Sequence, residues 1–125
     1  THHMLNEQAF DKMKSKVVLV NTARGAIVDT KALINALRNK KIAFYAADVY
    51  EREKGLFFKD NSSIGIQDEN LRTLLTFPNF LLTPHQAYVT KEALTRIAEI
   101  TFDNLDSWQE GKPCKNELGY ETLVL

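Results

Sequence analysis

The sequence is short of the features that mark a secreted or membrane protein. It holds one cysteine, Cys114, so no internal disulfide can form, and a reducing, cytoplasmic setting fits. No apolar run approaches the length that crosses a bilayer. Neither sign of charge is in excess. Sixteen basic residues balance sixteen acidic ones, so neither nucleic acid nor a membrane surface is an expected partner. There is no internal repeat and no low-complexity segment. The opening Thr1-His2-His3-Met4 reads as neither a secretory signal nor a natural initiation. Two histidines are few for a tag remnant, and neighbours on a helix or strand point apart, so no metal is assigned to them.

What is present suits one modest domain. Hydrophobic residues make up 44% of the 125, enough for a real core and too many for a disordered chain. Asn6 is a suitable cap for a helix through Lys14, with Phe10 and Met13 on its buried side. Val17 to Thr22 follows as a strand, and its Val-Val-Leu-Val run predicts burial on both faces, as in a parallel sheet. A helix from Asp29 to about Asn39 puts Ala32, Leu33, Ala36 and Leu37 on one face. Arg38, Lys40 and Lys41 close it, where the helix dipole favours cations. Ile42 to Val49 is a second strand, apolar until Asp48. Leu56 to Gln67 is a long irregular stretch whose Leu56-Phe57-Phe58 cluster suits covering a site or meeting a partner. Asp68 caps a short helix with Leu71, Leu74 and Leu75 inward, and Phe80 to Leu82 is a third short buried strand. Thr90 caps the longest helix, through about Glu110. Its Leu94, Ile97, Ala98, Thr101, Leu105 and Trp108 form one packing stripe. Gly111 and Pro113 end it, and the tail from Cys114 to Leu125 carries weak signals.

Helix and strand in alternation predict an α/β fold, a parallel sheet with crossover helices. Three strands then deliver their carboxyl ends to one edge, where open α/β sheets bind ligands. Arg24 follows the first strand, Asp48 ends the second with Glu53 five residues on, and His85 follows the third. A guanidinium grips a carboxylate through two parallel hydrogen bonds. An imidazole exchanges a proton near neutral pH, and a glutamate beside it favours the charged ring. Each residue also has a plain structural reading. Arg24 serves as an exposed loop arginine, Asp48 as a cap or lysine partner, Glu53 as a solvated charge, and His85 as a hydrogen-bonded loop histidine. Their shared edge is the argument for chemistry, and it depends on the strand assignments.

Three motifs carry a resemblance. Val20 to Thr30, Val-Asn-Thr-Ala-Arg-Gly-Ala-Ile-Val-Asp-Thr, resembles the signature of the D-isomer-specific 2-hydroxyacid dehydrogenases. Ala47-Asp48-Val49-Tyr50-Glu51 and Leu82-Thr83-Pro84-His85 match that family's later motifs in order and spacing. Leu56-Phe57-Phe58-Lys59-Asp60, the insert after it, and His85-Gln86-Ala87-Tyr88 resemble the D-lactate dehydrogenase branch. The likeness runs from Thr1 to about Leu118. It implies the second half of a doubly wound, Rossmann-like parallel sheet, with residues 1–89 as the C-terminal half of an NAD-binding domain. Residues 90–125 would be a long helix and tail that return to, or pack on, a missing substrate domain. The implied cofactor is NAD. The implied ligands are a small 2-oxo acid and its 2-hydroxy acid, pyruvate and D-lactate for this branch, with a homo-oligomeric parent. By the same resemblance, Arg24 binds the substrate carboxylate and polarises the carbonyl. His85 is the proton donor in reduction and the base in oxidation, and Glu53 hydrogen-bonds His85 and holds it charged. Asp48 would contact the nicotinamide end, and Thr22 and Ala23 would line it with backbone groups. Thr1 matches a position that often contacts the cofactor, and Tyr88 one that limits the substrate pocket. Glutamate rather than glutamine at position 53 disfavours a formate dehydrogenase.

The family's Gly-x-Gly-x-x-Gly turn is absent, since Gly25, Gly55, Gly65, Gly111 and Gly119 are not so spaced. No acidic residue for the adenosine ribose can be placed either. The chain is therefore expected to be the carboxyl-terminal part of a longer dehydrogenase, inactive or barely active alone, with exposed apolar faces. Three alternatives stay open: a sister enzyme for a bulkier 2-oxo acid, a regulatory module that kept the fold and lost catalysis, and a stand-alone α/β interaction domain.

Overall fold

The structure, a computed structural model, describes residues 1–119. In chain order it has α1 (Glu7–Lys12), β1 (Val18–Asn21), a 3₁₀ turn (Gly25–Ile27), α2 (Thr30–Arg38), β2 (Phe44–Ala47), α3 (Glu69–Leu75), β3 (Phe80–Leu82) and α4 (Lys91–Gln109). The alternation and the caps Asn6, Asp68 and Thr90 match the sequence, and Asp29, expected to open its helix, is its cap. Asn6, Asp29, Asp68 and Thr90 each accept a backbone N–H of the first turn through the side chain. Backbone contacts divide the chain into two units, Thr1–Ala87 and Tyr88–Leu125. Of the tail, residues 120–125 lie outside the described residues.

The three strands are parallel, in the order β1-β2-β3. Their register aligns Asn21 with Ala47 and Ala47 with Leu82, so all three strands end side by side. Whatever follows each strand leaves from the same edge. β2 is shorter than the sequence suggests, because its pairing with β1 runs only from Phe44 to Ala47 and with β3 only from Tyr45 to Ala47.

Burial corrects the expectation of strands covered on both faces. Val18 and Val20 are each 62% exposed, and Leu81 is exposed as well. Leu19, Tyr45, Ala47, Phe80 and Leu82 alternate with them and face the core. The physical reason is that the helices packed in the first unit contact one another in the series α1, α2, α3 and share one layer. An apolar run therefore covers two faces in composition while only one is buried among the described residues.

The core of the first unit joins this sheet face to α1, α2 and α3. Phe10, Leu33, Ile42, Leu71 and Leu74 are fully buried, and each such side chain contributes about 1.5–3 kcal/mol. On α2 the buried apolar set is Leu33, Ile34, Ala36 and Leu37, with Ala32 only partly covered. On α3 Leu71 and Leu74 are inward while Leu75 is exposed, a correction to its expected placement. Leu75 is the last residue of the helix and lies about 100° round from Leu74, at the flank of the inward face.

The second unit contains α4, whose stripe is exposed at Leu94, Ile97, Leu105 and Trp108. No residue of the helix is buried, so the stripe expected to be a packing face has no cover within its own unit. Among the described residues no helix is long and apolar enough to cross a membrane.

Candidate active site

Each strand end is tied to the loop that follows it. At β1, Asn21 is buried and its amide folds the loop back. Nδ2 donates to the Arg24 carbonyl at 3.0 Å and Oδ1 accepts from Ala23 N–H at 3.1 Å. This asparagine was not singled out from the sequence, although a polar residue at the end of a buried strand is the signal for it. Thr22, Ala23 and Arg24 are exposed on the outside of that loop. The Arg24 guanidinium bonds only the Ala23 carbonyl, at 2.8 Å, and meets no carboxylate among the described residues.

At β2, Asp48 is only 5% exposed. Its Oδ1 accepts three bonds, from Thr83 Oγ1 at 2.6 Å, Gln86 N–H at 2.8 Å and Ala87 N–H at 2.9 Å. Oδ2 has no donor among the described residues. Burial opposes the charge, but the bonds from Thr83, Ala87 and Gln86 and the charge of His85 outweigh it, so the carboxyl titrates below its ordinary value. Asp48 is thus neither a helix cap nor a lysine partner. It folds the segment 83–87 around itself.

That fold presents His85. Its N–H donates to the carbonyls of Asp48 at 2.7 Å and Thr83 at 2.8 Å. The residue is held at φ 56, in the left-handed region that non-glycine residues avoid. Nδ1 of the ring lies 3.1 Å from Glu53 Oε1, and Glu53 Oε2 accepts from Tyr50 N–H at 2.9 Å. Nε2 has no protein partner among the described residues. Phe58, also left-handed at φ 60, sets its ring 6.1 Å from the imidazole while Phe57 beside it enters the core. The apolar cluster of the irregular stretch is therefore split between two jobs.

A second set of contacts joins the first two loops. A Cβ on Gly25 would fall 2.0 Å from the Tyr50 carbonyl carbon and 2.4 Å from Glu51 N. Only glycine lets the Arg24 loop and the Glu53 loop approach so closely. Glu51 reinforces the junction. Oε2 accepts from Thr30 Oγ1 at 2.7 Å and Thr30 N–H at 3.3 Å, and Oε1 lies 2.6 Å from His3 Nε2. Burial raises the Glu51 carboxyl, but the bonds from Thr30 and His3 outweigh it and hold it below its ordinary value. Tyr50 behaves in the opposite sense, since burial and the bond from its hydroxyl to Asp68 at 2.7 Å push it up. Sequence reading missed Glu51, His3 and Gly25 as a group, because nothing in their spacing signals a meeting 48 residues apart.

The structure thus gathers Glu53, Asp48 and Phe58 around His85 and puts the Arg24 loop beside the Glu53 loop. Thr1 is exposed, and its carbonyl accepts from Met4 N–H, with no contact to that group. Tyr88 is exposed and belongs to the second unit. A cavity of about 620 Å³ lined by Leu37, Ile42, Ala43, Phe77 and basic residues holds none of the candidate residues, since it borders the opposite ends of the strands.

The model of the D-isomer specific 2-hydroxyacid dehydrogenase NAD binding domain matches residues 1–87. D-lactate dehydrogenase of Escherichia coli (strain K12) is 50% identical over 117 residues, 94% of this chain and 36% of that protein. An aromatic 2-oxoacid reductase of Clostridium sporogenes is 40% identical over 116 residues, 93% of this chain and 35% of that protein. The D-lactate dehydrogenase of Lactobacillus jensenii, solved with NAD+, superposes with a TM-score of 0.88 at 33% identity, covering 95% of this chain and 36% of that one. The chain therefore spans about a third of the length of these relatives. With its parallel half-sheet and the match over residues 1–87, the chain belongs to the D-isomer specific 2-hydroxyacid dehydrogenases and carries sequence of their NAD binding domain.

Proposed function

We propose that the parent protein transfers a hydride between NADH and a 2-oxo acid, reducing pyruvate to D-lactate. The observation that carries this is the Glu53–His85 pair, 3.1 Å apart on the strand edge where Arg24 and Asp48 also emerge. When bound, NADH supplies the hydride, and the chain's own residues manage the carboxylate, the proton and the alignment. The Arg24 guanidinium is exposed and bonds only its neighbour's carbonyl, so it is free to turn to the two oxygens of a substrate carboxylate. Glu53 occupies Nδ1 of His85 and fixes the ring so that Nε2 is the working nitrogen. Nε2 gives its proton to the carbonyl oxygen as that oxygen becomes a hydroxyl, and takes it back in the reverse direction. The exposed Phe58 ring stands 6.1 Å from the imidazole and would cover one side of it when substrate is bound.

The residues present fit the nicotinamide end of the cofactor. Asp48 has Oδ2 left over after its three bonds, and the exposed loop at Thr22 and Ala23 would line the ring with the Thr22 backbone and the second lone pair of the Ala23 carbonyl, since Asn21 already holds the Ala23 N–H. Thr1 as a cofactor contact and Tyr88 as a limit on substrate size belong to the same proposal. The adenosine end has no glycine turn here and would be held by residues outside these 125.

A bulkier substrate is the second reading, favoured by the Clostridium relative's name as an aromatic 2-oxoacid reductase. Turnover of pyruvate and of phenylpyruvate by the intact parent, followed as NADH oxidation, separates the two. Preference for pyruvate supports the proposal, preference for phenylpyruvate replaces it, and NADH binding without turnover of either indicates a non-catalytic module. In the intact parent, Arg24→Lys should raise KM for the 2-oxo acid at least tenfold and change NADH affinity far less.

A further inference from the structure

We propose that His2, His3 and Glu51 form a binding site for one borderline divalent cation, Zn²⁺ in the first instance. Their donor atoms all lie within 4.8 Å of one another. The sequence argues against this, since adjacent side chains on a helix or strand point apart. His3 is in neither. Its φ of 49 is left-handed, and the two imidazoles end up stacked, with centroids 3.8 Å apart and planes 28° from parallel. A non-glycine residue held in that region is a local strain that surrounding contacts must maintain.

The third donor is already aimed. Thr30 takes Oε2 of Glu51 through its hydroxyl and its N–H, which leaves Oε1 facing the imidazoles, 2.6 Å from His3 Nε2. Behind the His3 ring, Asp29 Oδ2 lies 3.9 Å from Nδ1. That separation is an electrostatic contact and not a hydrogen bond, whereas the two bonds from Thr30 that orient the ligating carboxylate are the outer-shell support that metal sites use. Two imidazole nitrogens with one carboxylate oxygen select Zn²⁺ over the hard cations Mg²⁺ and Ca²⁺, which take oxygen donors. Tetrahedral zinc with ligands at about 2.0 Å spaces its donors about 3.3 Å apart, so His3 and Glu51 would part by about 0.7 Å to admit it. Water would complete the fourth position. The bound ion would fasten the start of the chain to the loop that carries Glu53.

His2 is the clean place to test this. It is exposed, and its one interaction among the described residues is the stack on His3, so His2→Ala leaves their hydrogen bonds intact. Calorimetric titration of the intact protein with ZnCl₂ should show one Zn²⁺ per chain at this site. His2→Ala should weaken that binding at least tenfold, whereas His85→Ala, which removes a histidine elsewhere, should leave it unchanged. Co²⁺ in place of zinc should give the visible absorption of a tetrahedral nitrogen–oxygen site in the wild type and lose it in His2→Ala. Absence of Zn²⁺ binding to the wild type overturns the proposal. So does undiminished binding by His2→Ala, or loss that follows His85 instead.

Discussion

Two histidine–glutamate pairs flank one short loop, and they are built differently. Glu51 meets His3 at 2.6 Å and Glu53 meets His85 at 3.1 Å. Glu51 has both oxygens engaged, one by His3 and one by Thr30 twice, and His3 has a carboxylate near each ring nitrogen. Glu53 is anchored by Tyr50 N–H on one side, but its histidine keeps Nε2 without a protein partner. The first pair is closed upon the chain and suits holding two segments together. The second is open at the atom a proton would leave from. The same two residue types, with their glutamates two positions apart, are separated in role by what lies on the far side of each ring.

The sharpest way to break this comparison is to remove each histidine in turn from the intact parent. His85→Ala should lower turnover of the 2-oxo acid by about a hundred- to ten-thousand-fold, the usual worth of a positioned general acid. His3→Ala should change turnover only severalfold, as steady-state NADH oxidation will register. Equal losses would erase the distinction.

A second prediction strikes the junction that both pairs share. Gly25→Ala drives a Cβ to 2.0 Å from the Tyr50 carbonyl carbon, backbone that cannot yield as a side chain does. The loops must part, at a cost of about 3 kcal/mol, read as a lower denaturant midpoint with unchanged slope.

A smaller effect concerns acid. Glu51 and Asp48 titrate below their ordinary values in the folded chain because hydrogen bonds and nearby positive charge outweigh burial. A depressed carboxyl stabilises the fold fully above its unfolded value of about 4, and that contribution fades as pH falls through the folded value. The thermal midpoint should therefore drop on acidification below about pH 4, and less steeply in Glu51→Gln.

Much of this was legible in the sequence, for a physical reason. Parallel strands end at one edge, so Arg24, Asp48, Glu53 and His85 could be gathered from strand assignment alone, and the register of Asn21, Ala47 and Leu82 accounts for it. The caps Asn6, Asp68 and Thr90 were legible because capping is local. What stayed hidden depended on backbone that departs from regular geometry or on distant approach. His3 at φ 49 turns neighbouring rings together, and Phe58 at φ 60 parts from Phe57. Gly25 matters only because Tyr50 comes to it. Val18 and Val20 were read as buried because composition records what a strand can bury, not what the described chain puts over it.

The most direct test of the division between the two pairs exchanges one carboxylate at a time for its amide in the intact parent. Glu53→Gln should lower kcat at least tenfold and leave the unfolding midpoint within experimental scatter. Glu51→Gln should destabilise the fold by about 1–3 kcal/mol while turnover at saturating substrate stays within a few-fold. A stable, fully active Glu53→Gln enzyme would contradict the account, as would a Glu51→Gln enzyme that kept its stability and lost its turnover.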